Sequence, residues 1–313
     1  MELTAGIEIG GTKLQLVLGD GTGGICERRK LAVDPAKGGA GIRDQITRTL
    51  PDLIYGRKIS AVGVGFGGPV DWRAGRICRS HQIEGWSEFD VAGWLRPLAG
   101  SPVFVDNDAN VAALGEATHG AGIGFNPVFY VTLGSGVGGG LVINGSIYHG
   151  MTPGEAEIGH VRLDRQGTIV ESRCSGWAVN RRVRELAQAE SKSLLACLIG
   201  ESTGHESKYL GTALEKNDPS AKQLLSEVAD DLAFGLSHVV HLMHPQIIII
   251  GGGLSGLGEP LRAAVEVALG RFIMDAFAPG PIIALAMLGE DSVPMGALEL
   301  ARRGQEPEGI SAA

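Results

Sequence analysis

The chain has 313 residues, enough for two domains or one large one, and 44% hydrophobic against 20% charged residues excludes a mainly disordered chain. The 27 Lys and Arg against 35 Asp and Glu give a net charge of −8 with no long basic run, which argues against nucleic-acid binding. Glycine is the anomaly: 49 residues, more than twice the usual ~7%, lack the G-X-Y period of collagen and cluster instead at the ends of apolar runs.

In chain order, Leu3 to Ile9 reads as a strand, Gly10-Gly11-Thr12 as a turn, and Lys13 to Leu18 as a second strand with alternating leucines. Residues 40–55 have helical spacing. AVGVGFGGPVD (61–71) is a buried strand that enters a glycine turn. PVFVDNDAN (102–110) is a strand with a polar end, followed by a helix to about His119, with Asp108 or Asn110 as its cap. VFYVTLGSGVGGGLVING (128–145) repeats the opening arrangement of strand, glycine loop and strand. Helices follow at 175–190 and from Asp218-Pro219 to Pro245. The apolar strand QIIIIGGG (246–253) comes next, then helices near 260–275 and 294–303. Strands alternating with helices predict an α/β protein.

Three glycine loops, at 10–12, 134–140 and 251–256, expose backbone N–H groups to a ligand where no Cβ stands in the way. Two nucleotide motifs are excluded. GxxxxGK[ST] is absent, and the GxGxxG-like run at Gly134–Gly139 leads into a strand, whereas a dinucleotide fingerprint opens a helix. Four separated cysteines without a CxxC fit a reduced, cytoplasmic protein. No leader with a basic start and apolar centre, and no apolar run of ~18 residues, is expected to place the chain in or across a membrane.

GIEIGGTK (6–13), GFGGPVD (65–71), VDNDAN (105–110), LGSGVGGGLVINGSIYHG (133–150), EIGH (157–160) and IIIIGGG (247–253) stand in an order and spacing that resembles the ROK family of sugar kinases and sugar-responsive repressors. The resemblance covers residues 6 to about 303. It implies a two-domain actin-like ATPase (ribonuclease H-like) α/β fold with the active site in a cleft between domains. The small domain would be 1–115 with a last helix, about 294–313, returning to it; the larger would be 116–293. The resemblance places Gly10, Gly11, Thr12 and Lys13 in a first phosphate loop for ATP. Gly134, Ser135, Gly136 and Gly138 would form the second, with Gly251, Gly252 and Gly253 along the adenosine. Mg²⁺ would arrive with ATP near Glu8, which stands where an aspartate is commoner, and a homodimer is implied.

Asp108 is the residue expected to carry catalysis. A sugar hydroxyl is a weak nucleophile, and an aligned carboxylate that accepts its proton assists phosphoryl transfer. Asp106 is the rival carboxylate. By resemblance, Asn107 and Gly68 lie at the sugar, Glu157 and His160 of EIGH bind its hydroxyls, and Glu171 meets its anomeric side; Gln82 stands where an asparagine is usual. Glu157 and His160 are three apart, so a helical turn puts them on one face, where a carboxylate and an imidazole suit hydroxyls that both donate and accept. Many family members hold a structural zinc beside the EIGH histidine with a CxCGxxGCxE segment. Here VRLDRQGTIV (161–170) has no cysteine, and one His with Cys174 cannot complete a four-ligand site, so no protein-bound zinc is expected. The Arg28-Arg29-Lys30 triplet reads as a solvated face. His238, His241 and His244 read as a helix surface, and Trp86 and Trp94 as core or cleft wall.

These readings converge on an ATP-dependent kinase that phosphorylates the 6-hydroxyl of an aldohexose. Glucose is the first choice, with N-acetylglucosamine, N-acetylmannosamine and fructose as alternatives. A repressor would need a helix-turn-helix ahead of the first loop, and that loop begins at Gly10. A polyphosphate donor would call for a basic track that the net charge does not provide.

Overall fold

The computed structural model describes residues 3–21, 23–80, 83–154, 156–190, 193–200 and 206–304. In chain order the strands are β1 (Leu3–Ile9), β2 (Lys13–Gly19), β3 (Ile25–Ala32), β4 (Ile59–Phe66), β5 (Val70–Asp71), β6 (Arg76–Ile77), β7 (Val103–Asn107), β8 (Val128–Leu133), β9 (Val137–Ile143), β10 (Ser146–Ile147), β11 (Ile247–Gly251) and β12 (Ile282–Leu285). The helices are α1 (Gly38–Leu53), α2 (Val91–Ala99), α3 (Asp108–His119), α4 (Val170–Cys174), α5 (Gly176–Ala189), α6 (Leu194–Ile199), α7 (Lys208–Glu215), α8 (Pro219–Met243), α9 (Glu259–Leu269) and α10 (Ser292–Arg303). They form two compact units. One comprises residues up to Gly124, Gly140–Ala156 and the chain from Met287 onward; the other comprises Phe125–Gly139 and Glu157–Ala286. Among the described residues no helix is long and apolar enough to cross a membrane.

The first unit is built on a five-stranded sheet ordered β3-β2-β1-β4-β7. β1 and β2 form the antiparallel pair expected from strand, glycine turn and strand, and β4 and β7 add in parallel. On one face Ile7, Ile9, Leu14, Leu16 and Leu18 join Ile42, Ile46 and Leu50 of α1 in the main core, the helix residues recurring every fourth position. Trp86 belongs to this core, edge-on to Phe66, Phe89 and Trp94. The basic triplet lies on edge strand β3, where Arg28 pairs with Asp291, Arg29 with Glu27 and Lys30 with Glu290. Charged side chains on an edge strand discourage pairing with another chain.

The opposite sheet face carries Gly6 paired with Gly63 and Glu8 paired with Gly65. This row of missing side chains lets α10 and α3 close onto the sheet. Both faces of β2 are therefore covered, and Gln15 and Val17 are as buried as the leucines that alternate with them. Between the two helices the approach is backbone to backbone: a Cβ built on Gly296 of α10 overlaps the Val111 carbonyl oxygen of α3.

The second unit holds the parallel strands β8, β11 and β12 of a sheet ordered β10-β9-β8-β11-β12; β9 starts in this unit and its chain continues into the first. The isoleucines of β11 are buried throughout, as expected for a central parallel strand. α8 begins with Pro219 behind its cap, Asp218, whose Oδ1 accepts from Ala221 N at 2.8 Å, and it packs on α4 and α9. The helix expected near 260–275 is shorter: α9 stops at Leu269 before Gly270, and a separate single turn follows at Asp275–Phe277.

Overlap at Gly296 outweighs the ~1 kcal/mol by which alanine normally favours a helix over glycine. Gly296→Ala is expected to destabilise the protein by about 3 kcal/mol, at the upper end of overpacking costs. Urea unfolding of parent and variant checks this; equal midpoints would contradict the backbone contact.

Candidate functional site

In the first unit, parallel register aligns three strand ends. Ile9 of β1 pairs with Phe66 of β4, and Phe66 with Asn107 of β7. The segments that leave these ends are the Gly10–Lys13 loop, Gly67-Gly68 and Asp108, so the expected residues stand side by side at the carboxyl edge, where ligands of open α/β sheets bind. The loop is closed by Gly10 N donating to Lys13 O at 3.0 Å, and Gly67 N donates to Ile9 O at 2.9 Å. A Cβ on Gly67 would lie 3.4 Å from Asp108 Oδ2, which fixes the Asp108 carboxylate beside that glycine.

The cap of α3 is Asn107, and neither Asp108 nor Asn110 takes that part. Asn107 Oδ1 accepts from Ala109 N at 2.9 Å and from Asn110 N at 3.2 Å, while its Nδ2 donates to Gly68 O at 3.2 Å. The extended backbone of Asn107 is the Ncap conformation, so Asp108 becomes the first helical residue. Asp106 is the anchor behind it. Only 2% exposed, it accepts through Oδ1 from Asn107 N at 2.8 Å and Asn110 Nδ2 at 3.1 Å, and its Oδ2 lies 2.6 Å from His149 Nε2. His149 stacks on Trp72, and Asn110 also donates to Gly154 O at 2.8 Å. With both oxygens committed inside the fold, Asp106 is a scaffold carboxylate. His149 stands near the end of the 133–150 motif with no role read for it there, and 43 positions separate it from Asp106, so only the fold brings the pair together.

The second unit repeats the device. Thr132 of β8 pairs with Gly251 of β11, which sets the ends of these parallel strands side by side. Gly252, at φ 79°, lies so close to Leu133 that a Cβ would come within 2.6 Å of its backbone. Gly253 is exposed with open space where a side chain would point. Gly134, Ser135 and Gly136 follow β8 directly and Gly138 is the second residue of β9, so two of the three glycine loops are neighbours. Such a surface, bare of side chains, fits the close approach of a nucleotide.

Glu171 grips the same loop: its Oε2 accepts from Val137 N at 2.9 Å. The turn Ile158–His160 packs there too, because a Cβ on Gly159 would overlap the Val137 carbonyl. His160 N donates to Glu157 O, and both side chains are exposed, three positions apart on one tight turn. Gly159 of this turn and the Glu171 carboxylate therefore both pack at Val137. Residues 161–170 form a small hairpin, with an Arg162–Ile169 bridge and Asp164 Oδ1 accepting from Gln166 N and Thr168 N. Cys174 faces the core toward Val228 O, and burial pushes its thiol up. Among the described residues no three His, Cys, Asp or Glu side chains cluster as a metal site. Gln82 lies outside the described residues. His238 is edge-on to Phe234, His241 Nε2 accepts from Met274 N, and His244 stacks on Phe277, so each has a partner of its own.

The sequence pattern of the ROK family matches residues 4–304. The chain belongs to the ROK family. It is 31% identical to a glucokinase of Streptomyces coelicolor over 99% of this chain and 100% of that one. A glucokinase of Halalkalibacterium halodurans is 30% identical over 93% of this chain and 92% of its own. Among solved structures, a ROK family glucokinase from Streptomyces griseus in complex with glucose and AMPPNP superimposes with a TM-score of 0.84 at 33% identity, covering 96% of this chain and 100% of that one. The fold is thus the two-domain, actin-like ATPase fold of ROK glucokinases.

In this ROK protein the first loop is held from beneath by a buried carboxylate. Glu8 meets Lys13 Nζ at 3.2 Å through Oε1 and accepts from Gln15 Nε2 at 2.7 Å through Oε2. Gln15 is the cross-strand partner of Glu8 and is fully buried, and its Oε1 accepts from Arg28 Nη1. Burial raises the Glu8 carboxyl above its ordinary 4.5, while Lys13 and Gln15 pull it partly back. A carboxyl raised in the folded state lends its full stability below its unfolded value and loses that contribution as pH climbs through the folded value. Glu8→Gln, unfolded chemically without nucleotide, should therefore gain on the parent as pH rises from about 4 to about 8. A stability gap constant across that range would contradict the burial argument.

Proposed function

We propose that this protein is an ATP-dependent hexose kinase that transfers the γ-phosphoryl group of Mg·ATP to the 6-hydroxyl of glucose, a cytoplasmic enzyme acting as a homodimer. What most supports the reading is Asp108, presented beside Gly67 and the first glycine loop, in a chain that matches glucokinases over nearly its whole length.

Asp108 is the general base. Its carboxylate takes the proton of the 6-hydroxyl as that oxygen attacks the γ-phosphorus, and the bond to the β-γ bridging oxygen breaks to release ADP. Its position is set from both sides, by the Asp106 hub before it and the Asn107 cap around it. Asn107 and Gly68 contact the sugar. Glu157, His160 and Glu171 bind hydroxyls, and the hairpin at 161–170 beside them supports sugar binding without protein-bound zinc. The loop Gly10–Thr12, with Lys13, and the loop holding Gly134, Ser135, Gly136 and Gly138 receive phosphates, and Gly251–Gly253 lie along the adenosine. Mg²⁺ neutralises charge on the donor near Glu8. Glucose leads the choice of sugar because the glucokinase likenesses are extensive on both chains, and each hydrogen bond to a sugar hydroxyl carries large discrimination.

Two measurements test this. ADP release with glucose, fructose, mannose, N-acetylglucosamine and N-acetylmannosamine should show the highest kcat/KM for glucose; no stimulation by any hexose would end the kinase reading. Asp108→Ala should lower kcat about 10²–10⁴-fold, the usual contribution of a general base, with glucose binding changed by less than about tenfold. A folded variant that keeps a tenth of parental kcat would move the base elsewhere.

A further inference from the structure

One tryptophan stands apart from the other three in its surroundings. Trp86 is core, and Trp72 and Trp94 are half-buried in the first unit with aromatic partners. Trp177 belongs to the second unit and is 65% exposed. A single exposed apolar residue is ordinary on a protein surface, so exposure alone says nothing. The attachment of its backbone does.

Trp177 is the second residue of α5 and follows two clamps on the second glycine loop. Glu171 Oε2 accepts from Val137 N, and Gly176 N donates to Gly134 O at 2.7 Å. A Cβ on Gly176 would stand 2.7 Å from that same oxygen, so the approach is as close as glycine allows. Ser175 locks the helix start by accepting from Ala178 N at 3.1 Å. The indole is thus carried one residue beyond a backbone joint with the loop, on a capped helix. The third glycine loop reaches the same place from β11, since Gly252 packs on Leu133 as Gly176 packs on Gly134. Backbone amides, a glycine surface open at Gly253 and an exposed indole share one neighbourhood. The first suits phosphates, and the other two suit a flat apolar ring.

We infer that Trp177 is the stacking platform for the purine base of the nucleotide donor, contributing affinity through the base and none through the phosphates. This rests on the kinase reading, in which the loop at Gly134–Gly138 receives the donor. Base–aromatic stacking is substantial, depends on ring area, and is indifferent to the phosphate chain. Phenylalanine should therefore keep much of the effect that alanine loses.

The test is calorimetric titration of the parent, Trp177→Ala and Trp177→Phe with ADP and with inorganic tripolyphosphate, each variant first shown to melt like the parent. Trp177→Ala is expected to weaken ADP binding about 5- to 150-fold, Trp177→Phe by a smaller factor, and tripolyphosphate binding in both within about twofold of the parent. Indole fluorescence of the parent should change on adding ADP, and that change should be lost in Trp177→Ala. Parent and alanine variant binding ADP equally would overturn the platform and leave the kinase reading standing. Equal losses for ADP and tripolyphosphate would overturn it in another way, by making Trp177 a support for the loop. A parent that binds no ADP would remove the donor site itself, and the platform with it.

Discussion

Parallel pairing between strands that stay apolar to their ends decides where polar chemistry can stand in this chain. Inside the sheets a polar group must find a partner or be left out, and most positions of β1, β4, β8 and β11 are filled by Ile, Val, Leu, Ala or Gly. At the carboxyl ends that restriction lifts at one level across neighbouring strands. Ile9, Phe66 and Asn107 are level in one sheet, as Thr132 and Gly251 are in the other. Glycine loops follow most of these ends, so backbone amides occupy the edge that the strands open. The candidate site residues attach to this frame: Asp108 by starting the helix after β7, Glu171 by accepting from the loop after β8.

The polar groups that do enter the interior show what the frame demands. Asp106 is tolerated because Asn107 N, Asn110 Nδ2 and His149 Nε2 meet its two oxygens. Glu116, fully buried, is met by Ala121 N, Met287 N, Leu288 N and Ser292 Oγ, which ties the end of α3 to the start of α10. Removing one partner from such a group costs about 1–3 kcal/mol, so these carboxylates hold their neighbours in fixed places. Glu8 is the less comfortable case. It lies under the loop that would receive phosphate, with Lys13 and Gln15 offsetting only part of its desolvation. A carboxylate kept there at a cost in stability is consistent with a place near the reaction.

Much of this was legible in the sequence because it depends on local chemistry. Glycine runs after apolar runs marked all three loops, proline behind Asp218 marked the start of α8, and the spacing of EIGH put Glu157 and His160 on one turn. What could not be read depends on partners distant in sequence. Gln15 looks like a polar strand position, and it is buried because Gly6, Gly63 and Gly65 let α10 close on that face. Asp108 and Asn110 are as good capping residues as Asn107, and the extended backbone at the end of β7 selects between them. His149 gives no sign of its pairing with Asp106, since β10 and the loop after it must first fold back to α3.

The proposed reaction passes a phosphoryl group to the sugar's 6-hydroxyl and not to water or another position. Phosphorus NMR of a reaction with Mg·ATP and glucose measures this directly. A single new phosphomonoester signal is expected, split by the two protons on C6 and growing mole for mole with ADP. Orthophosphate as the only new product, or an ester on another carbon, would contradict it.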